Sequence, residues 1–258
     1  MLSFCCTALI DELALATVNA PKTVRERVRA EMIGEIKAVA RAQLASHGAA
    51  ALSLRAISRE LGMVSSAIYR YFPSRDDLLT ALIVDSYGAL GAAAERTDAA
   101  APDQDDFTAR WLAAGRTIRG WAVEHPHEYA LLYGSPVPGY RAPQDTIPAA
   151  TRVIAVLARV VRDAAAAGAL AGPADAVPLP ELLAADAARL RENLMPGVDD
   201  EHVTRCLLAW LALFGAVSFE LFGHLNNVVS DYQLGFEHQL RRLADFVGLY
   251  VSTPAVAG

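Results

Sequence analysis

The chain is 258 residues long, with 53% hydrophobic and 20% charged residues. That length and balance suit a folded protein of one small and one larger domain, and exclude an intrinsically disordered chain. The net charge of −6 hides an asymmetry: residues 22–75 carry ten basic and four acidic side chains, the remainder 13 basic and 25 acidic. A basic head on an acidic body suits a protein that meets a polyanion with one end only.

Strand patterns are nearly absent and Ala-rich helical periodicity runs throughout, so the expected fold is all-α. Cys5, Cys6 and Cys206 make no disulfide framework, which fits a reducing cytoplasm. Residues 1–22 are read as an N-terminal extension, either a floppy segment or a product of start-codon choice. They lack a basic n-region and carry Asp11 and Glu12, unlike a signal peptide. The longest uncharged apolar run, Cys206 to Phe219, is 14 residues, too short to span a bilayer.

Thr23 and Glu26 form a capping box that starts the first helix. Val28, Met32, Ile36 and Val39/Ala40 make its core stripe, and Gly48 closes it. Its Arg25, Arg27 and Arg29 are either DNA-backbone contacts or solvated charges. Ser53 caps the second helix, in which Leu54, Ile57 and Leu61 share a face and Gly62 is the stop. The third helix is expected from Ser65 to about Tyr71. At 100° per residue, Val64, Ala67, Ile68, Tyr71 and Phe72 fall on one side, and Ser66, Tyr69 and Arg70 on the other. Ser66 permits close approach, Tyr69 reaches phosphate, and Arg70 reaches base edges or backbone. Two short helices around a tight turn, with such an outward face, form a helix-turn-helix. Pro73 ends it, and Ser74 with Asp77 reads as a second capping box.

The run from Ile57 to Leu79, ISRELGMVSSAIYRYFPSRDDLL, resembles the N-terminal signature of the tetracycline-repressor (TetR) family, and the likeness covers roughly Val24 to Leu90. Arg75 stands where that family usually has lysine, and Tyr71 where it often has histidine. The resemblance implies a three-helix DNA-binding head over 23–75 and a helical ligand-binding and dimerisation domain over 76–253. The expected DNA-binding residues are Ser53, Arg55, Ser65, Ser66, Tyr69, Arg70, Tyr71 and Arg75.

A fourth helix is expected from Arg75 to about Arg96, burying Leu79, Ile83, Tyr87 and Leu90. After a loop, Phe107, Trp111, Gly115, Ile118 and Trp121/Ala122 form one stripe, which His125-Pro126 stops. Pro126 suits the N1 position of a sixth helix ending at Tyr133, before a rigid Pro/Gly loop at 134–143. Trp121 to Tyr140, WAVEHPHEYALLYGSPVPGY, resembles the ligand-binding domain of a TetR subgroup with Trp, His-Pro, Tyr and Gly-x-Pro. Further helices are expected over 148–167 and 181–194, with a flexible low-complexity stretch at 171–180 between them. Residues 201–224 are apolar nearly all round, so that helix needs cover on both sides. The last helix opens with Ser230-x-x-Gln233, read as a capping box, and shows Phe236, Leu240, Leu243, Val247 and Tyr250.

Two such terminal helices pairing with their symmetry mates would make a four-helix homodimer interface, as the family resemblance also implies. Trp111, Trp121, Tyr129, Tyr133, Trp210 and Phe214 are the candidate ligand-binding side chains, individually core residues and collectively a pocket by the resemblance. His125, His127 and Glu128 lack a second cluster at ligand spacing, so no metal and no cofactor is expected. Phosphate loops, nucleophile elbows and carboxylate pairs are missing from the pattern, so no enzyme is expected. The sequence thus predicts a cytoplasmic regulator whose partners are double-stranded operator DNA, a small-molecule inducer and a second copy of itself, with no membrane. A repressor is the first reading; a DNA-binding protein without ligand control, and an activator, are the alternatives.

Overall fold

The structure, a computed structural model, describes residues 23–172 and 177–250. The extension at 1–22 lies outside them. Among the described residues every regular element is helical. They form two compact units, one of 23–88 with His125–Ala150, the other of Ala89–Glu124 with 151–172 and 177–250.

In the first unit, α1 spans Val24–His47. Its capping box closes both ways: Glu26 N–H donates to Thr23 Oγ1 at 3.2 Å, and Thr23 N–H to Glu26 Oε2 at 2.8 Å. Gly48 ends it at φ 75°, a left-handed backbone that glycine adopts without strain. A short 3-10 turn at Ala49–Ala51 leads to α2, Leu54–Glu60, and then α3, Ser65–Ile68. Helix α4 runs unbroken over Arg75–Ala99, and the boundary between the units falls within it, at Gly88. Ser74 Oγ accepts from Asp77 N–H at 3.1 Å while its own hydroxyl donates to Asp77 Oδ2 at 2.7 Å. Helix α6, Pro126–Tyr133, carries Pro126 at N1, where its missing N–H costs nothing.

Ile36, Ala40, Leu44, Leu54, Ile57, Ile68, Phe72, Leu78, Leu79 and Leu82 make the core of this unit. Two expected core positions are exposed: Val28, near the start of α1, and Val64, which precedes α3 as its N-cap. Lys37 and Arg41 on α1 both pair with Asp85 of α4, at 2.9 and 3.0 Å. Glu128 of α6 accepts from Ser86 Oγ at 2.7 Å and lies 3.5 Å from Arg41.

In the second unit, α5 (Phe107–Glu124), α7 (Ile147–Ala166), α8 (Glu181–Leu194), α9 (Asp200–Leu221) and α10 (Tyr232–Phe246) supply the core; the start of α7 belongs to the first unit. Trp111, Ile118, Val156, Leu157, Val160, Val161, Leu213, Val217 and Leu240 are buried there. Arg110 is almost wholly buried and forks onto Asp98 at 2.8 and 3.2 Å, with Asp163 at 2.9 Å. A buried guanidinium needs such partners, and Asp98 foremost raises its pKa. Cys206 is a buried hydrophobe whose thiol burial pushes up to about 12.

The start of α10 differs from expectation: the cap is Asp231, whose Oδ1 accepts from Leu234 N–H at 2.9 Å, and not Ser230. A carboxylate facing the helix N-terminus is an effective N-cap acceptor. Helix α9 ends at Leu221, where His224 N–H returns to Phe219 C=O at 2.9 Å around Gly223 at φ 77°. One side of α9 is buried through Val203, Cys206, Ala209, Leu213 and Val217; the other leaves Leu208, Leu211, Phe219 and Phe222 about half exposed in one row. By length and composition alone, Arg75–Ala99 and Asp200–Leu221 could cross a membrane, although 44% of each apolar window is buried inside the protein.

Candidate nucleic-acid interface

Helix α2 is set by Ser53, whose Oγ accepts from Ala56 N–H at 3.3 Å while its own N–H donates to Gln43 Oε1 of α1. The turn between α2 and α3 closes with Met63 N–H on Ser58 C=O at 2.8 Å, and Gly62 takes φ 66°. Helix α3 itself is shorter than expected, but hydrogen-bonded turns prolong it. Arg70 N–H reaches Ala67 C=O at 3.1 Å, and Tyr71 and Phe72 N–H both reach Ile68 C=O. The first two are i+3 bonds, which tighten its last turn as helix ends often do, and the third spans four residues.

Ile68 and Phe72 anchor this segment in the core, with Ala67 and Tyr71 half-buried beside them. Ser65, Ser66, Tyr69 and Arg70 face outward together, and Arg55 on α2 is exposed as well. An exposed serine, phenol and guanidinium on one short helix can hydrogen-bond both phosphate oxygens and base edges.

The other three expected DNA-binding side chains are engaged within the protein. Ser53 is a cap. Tyr71 lies under the Arg29 guanidinium, 5.2 Å from ring centroid to Cζ. Arg75 donates from Nη2 to the carbonyls of Ala49 and Ala50, at 2.9 and 3.2 Å, and from Nε to Leu52 C=O at 3.2 Å. Sequence reading missed Gln43 and the partner of Arg29: each acts on a residue ten or more positions away, and periodicity carries no such signal.

Of the ligand candidates, Tyr129 and Tyr133 belong to the first unit, where their rings are 5.0 Å apart and Tyr87 meets Tyr133 edge-on at 5.9 Å. Burial, and then the neighbouring Tyr87 and Tyr129, raises the pKa of Tyr133. Trp111, Trp121, Trp210 and Phe214 belong to the second unit. Trp210 and Phe214, one turn apart on α9, meet with tilted rings at 5.8 Å. The indole N–H groups of Trp111 and Trp210 are buried and meet no acceptor among the described residues.

Residues 36–82 match the family model of bacterial regulatory proteins, tetR family, and residues 111–243 match that of the tetracyclin repressor-like C-terminal domain. The chain belongs to the TetR family. The HTH-type transcriptional regulator Rv1816 of Mycobacterium tuberculosis (strain ATCC 25618 / H37Rv) is 42% identical over 231 residues, covering 88% of this chain and 94% of that protein. The HTH-type transcriptional regulator Mb1846 of Mycobacterium bovis matches to the same extent. The crystal structure of the protein SCO4313 is similar with a TM-score of 0.70 and 34% identity, over 86% of this chain and 100% of that one. A tetR-family regulatory protein from Rhodococcus RHA1 shares the fold, with a TM-score of 0.57 at 17% identity and 85% and 98% coverage. The protein is a helix-turn-helix, DNA-binding transcriptional regulator of the TetR family.

Proposed function

We propose that this TetR regulator is a repressor released from its operator by a small apolar or amphipathic molecule, working as a cytoplasmic homodimer. On DNA, Ser66, Tyr69 and Arg70 enter the major groove, and Ser65 and Arg55 hold flanking phosphates. Ser53, Tyr71 and Arg75 keep that surface in shape. The exposed row Leu208, Leu211, Phe219 and Phe222 on α9, with Leu234 on α10, is the surface offered to the second copy.

Ligand control rests on one observation above the others: Trp111 is fully buried, yet its indole N–H has no acceptor among the described residues. A buried donor left unmet costs about 1–3 kcal/mol, which a ligand carrying an acceptor would restore. The ligand contacts in the second unit are then Trp111, Trp121, Trp210 and Phe214. Moving a population from 99:1 to 1:99 takes about 5.5 kcal/mol of differential affinity, roughly half of it at each site of a dimer. One hydrogen bond of this kind, made only in the released state, covers much of each site's half.

The test uses the duplex recovered by selecting a randomised library on the purified protein. Uncharged aromatic compounds with a carbonyl or ether acceptor are screened for release of that duplex and for a shift in tryptophan fluorescence. Trp111→Phe, which keeps a ring but loses the donor, is expected to raise the half-releasing concentration about tenfold while ligand-free DNA affinity stays unchanged. Ligand control is refuted if compounds that perturb the tryptophans leave DNA affinity as it was.

A further inference from the structure

The recognition segment is only a short helix followed by turns, and the side chains proposed to meet DNA, Tyr69 and Arg70, stand on its last, most frayable turn. Its start is fixed by the bond from Met63 to Ser58, and its inner face by Ile68 and Phe72. The carbonyls at its end have no helical partner ahead of them, as at any helix C-terminus. One of them is met from a distant place in the chain. Arg29, on the exposed side of α1, donates from Nη1 to the carbonyl of Arg70 at 3.1 Å, across 41 positions of sequence. The same guanidinium lies over the ring of Tyr71, the next residue.

We infer that Arg29 is a positioning residue for DNA recognition: it clamps the end of the recognition helix by its hydrogen bond to the Arg70 carbonyl and its place over the Tyr71 ring. Three physical effects act together in this clamp. A cation at a helix C-terminus is favoured by the helix dipole. A charged donor on a carbonyl makes a stronger bond than a neutral one. A guanidinium over an aromatic face is attracted by the ring quadrupole. The clamp fixes the peptide plane that follows Arg70, and through it the direction in which the Arg70 side chain leaves the backbone. Arg29 thereby sharpens base discrimination without touching a base. The inference rests on the recognition-helix reading given above and adds to it the residue that orients that helix.

A direct contact from Arg29 to phosphate would look different, since a lost phosphate contact weakens all sequences alike and lowers the salt slope by about one. The experiment therefore measures affinity of the full chain for the selected duplex and for a scrambled one of equal length, across a salt series. Arg29→Ala is expected to weaken the selected duplex about five- to tenfold, to leave the scrambled duplex unchanged, and to leave the salt slope as in the parent. Arg29→Lys, which keeps the charge but loses the planar, forked guanidinium, recovers only part of that loss. Tyr71→Leu, which removes the ring and leaves Arg29 in place, reduces discrimination in the same direction. Equal loss on both duplexes with a lower slope, full recovery in Arg29→Lys, or no change in Arg29→Ala overturns the inference. Arg70→Ala separates the two readings. If it too leaves base preference intact, the recognition helix itself is misassigned; if it abolishes preference while Arg29→Ala changes nothing, the clamp alone is wrong.

Discussion

Arg70 and Arg75 carry the same charge a few residues apart, and their surroundings give them different work. Arg70 is exposed beside Ser66 and Tyr69, so its guanidinium is available to the two acceptors of a guanine edge. Arg70→Ala is expected to cost about 1–3 kcal/mol on the selected duplex and to relax preference at one base pair, read by competition among single-base variants of that duplex. Arg75, by contrast, holds three carbonyls of the segment that leads into α2. With about a third of its side chain exposed, screening cuts the worth of those bonds. Arg75→Ala should still lower the unfolding free energy by about 1–2 kcal/mol, seen as an earlier urea midpoint. A residue that only touched phosphate would leave the midpoint alone and lower the salt slope of DNA binding. Local signals exposed the Ser53 cap and the outward trio of α3, because caps and helical faces are encoded within a few residues. The partners of Arg75 lie 23–26 positions away, beyond the reach of any spacing rule.

Helices in the second unit are tied by ion pairs as well as by apolar packing, and one pair gives a dependence on pH. Arg116 of α5 forks onto Glu237 of α10 at 2.6 and 2.8 Å, and Arg119 holds Glu220 of α9 at 2.6 and 2.8 Å. The hydrogen bond from Arg116, foremost, lowers the Glu237 pKa below its ordinary 4.5. A carboxylate with a depressed folded-state pKa adds stability above its unfolded value and loses it as pH falls through the folded one. Glu237→Gln should therefore have a lower urea midpoint than the parent near neutral pH, and the gap should close as pH drops well below that value. A gap that stays constant through the acid range would mean that packing, not ionisation, accounts for the difference. The existence of α5 and α10 was plain from their apolar stripes, as was the Pro126 start of α6. Which acids and bases on exposed helix faces meet depends on how the helices cross, and periodicity says nothing about crossing. The same holds for Asp98, Arg110 and Asp163, whose burial no local pattern announces.

At the scale of the molecule, helical periodicity did show an all-α chain with a DNA-binding head, but not that the boundary between units falls inside α4 at Gly88. Leu78, Leu79 and Leu82 are buried in one unit and Leu90 and Ala94 in the other, and one unbroken stripe serves both. The all-round apolar character of α9 was legible too, and within a single chain only one of its sides is covered. Leu208, Leu211, Phe219 and Phe222 remain about half exposed along the other, at spacings that keep them on one face. A row of that kind is costly to leave in water and suits a two-fold contact in which the same face meets itself. A single recognition helix reads few base pairs, so specific affinity needs two heads on half-sites about 34–36 Å apart, or a multiple of that. Leu211→Asp places a carboxylate at the middle of the row. An unpaired charge buried in an interface costs about 3–5 kcal/mol, so the dimer dissociation constant should rise by roughly two to four orders of magnitude. Leu211 is half exposed in the single chain, so the substitution should leave the fold itself intact, with unchanged helicity by circular dichroism. Sedimentation equilibrium is expected to show a dimer for the parent and monomers for the variant, and binding to a two-half-site duplex should fall to the level of one half-site. A variant that sediments and binds DNA like the parent would move the dimer contact off α9.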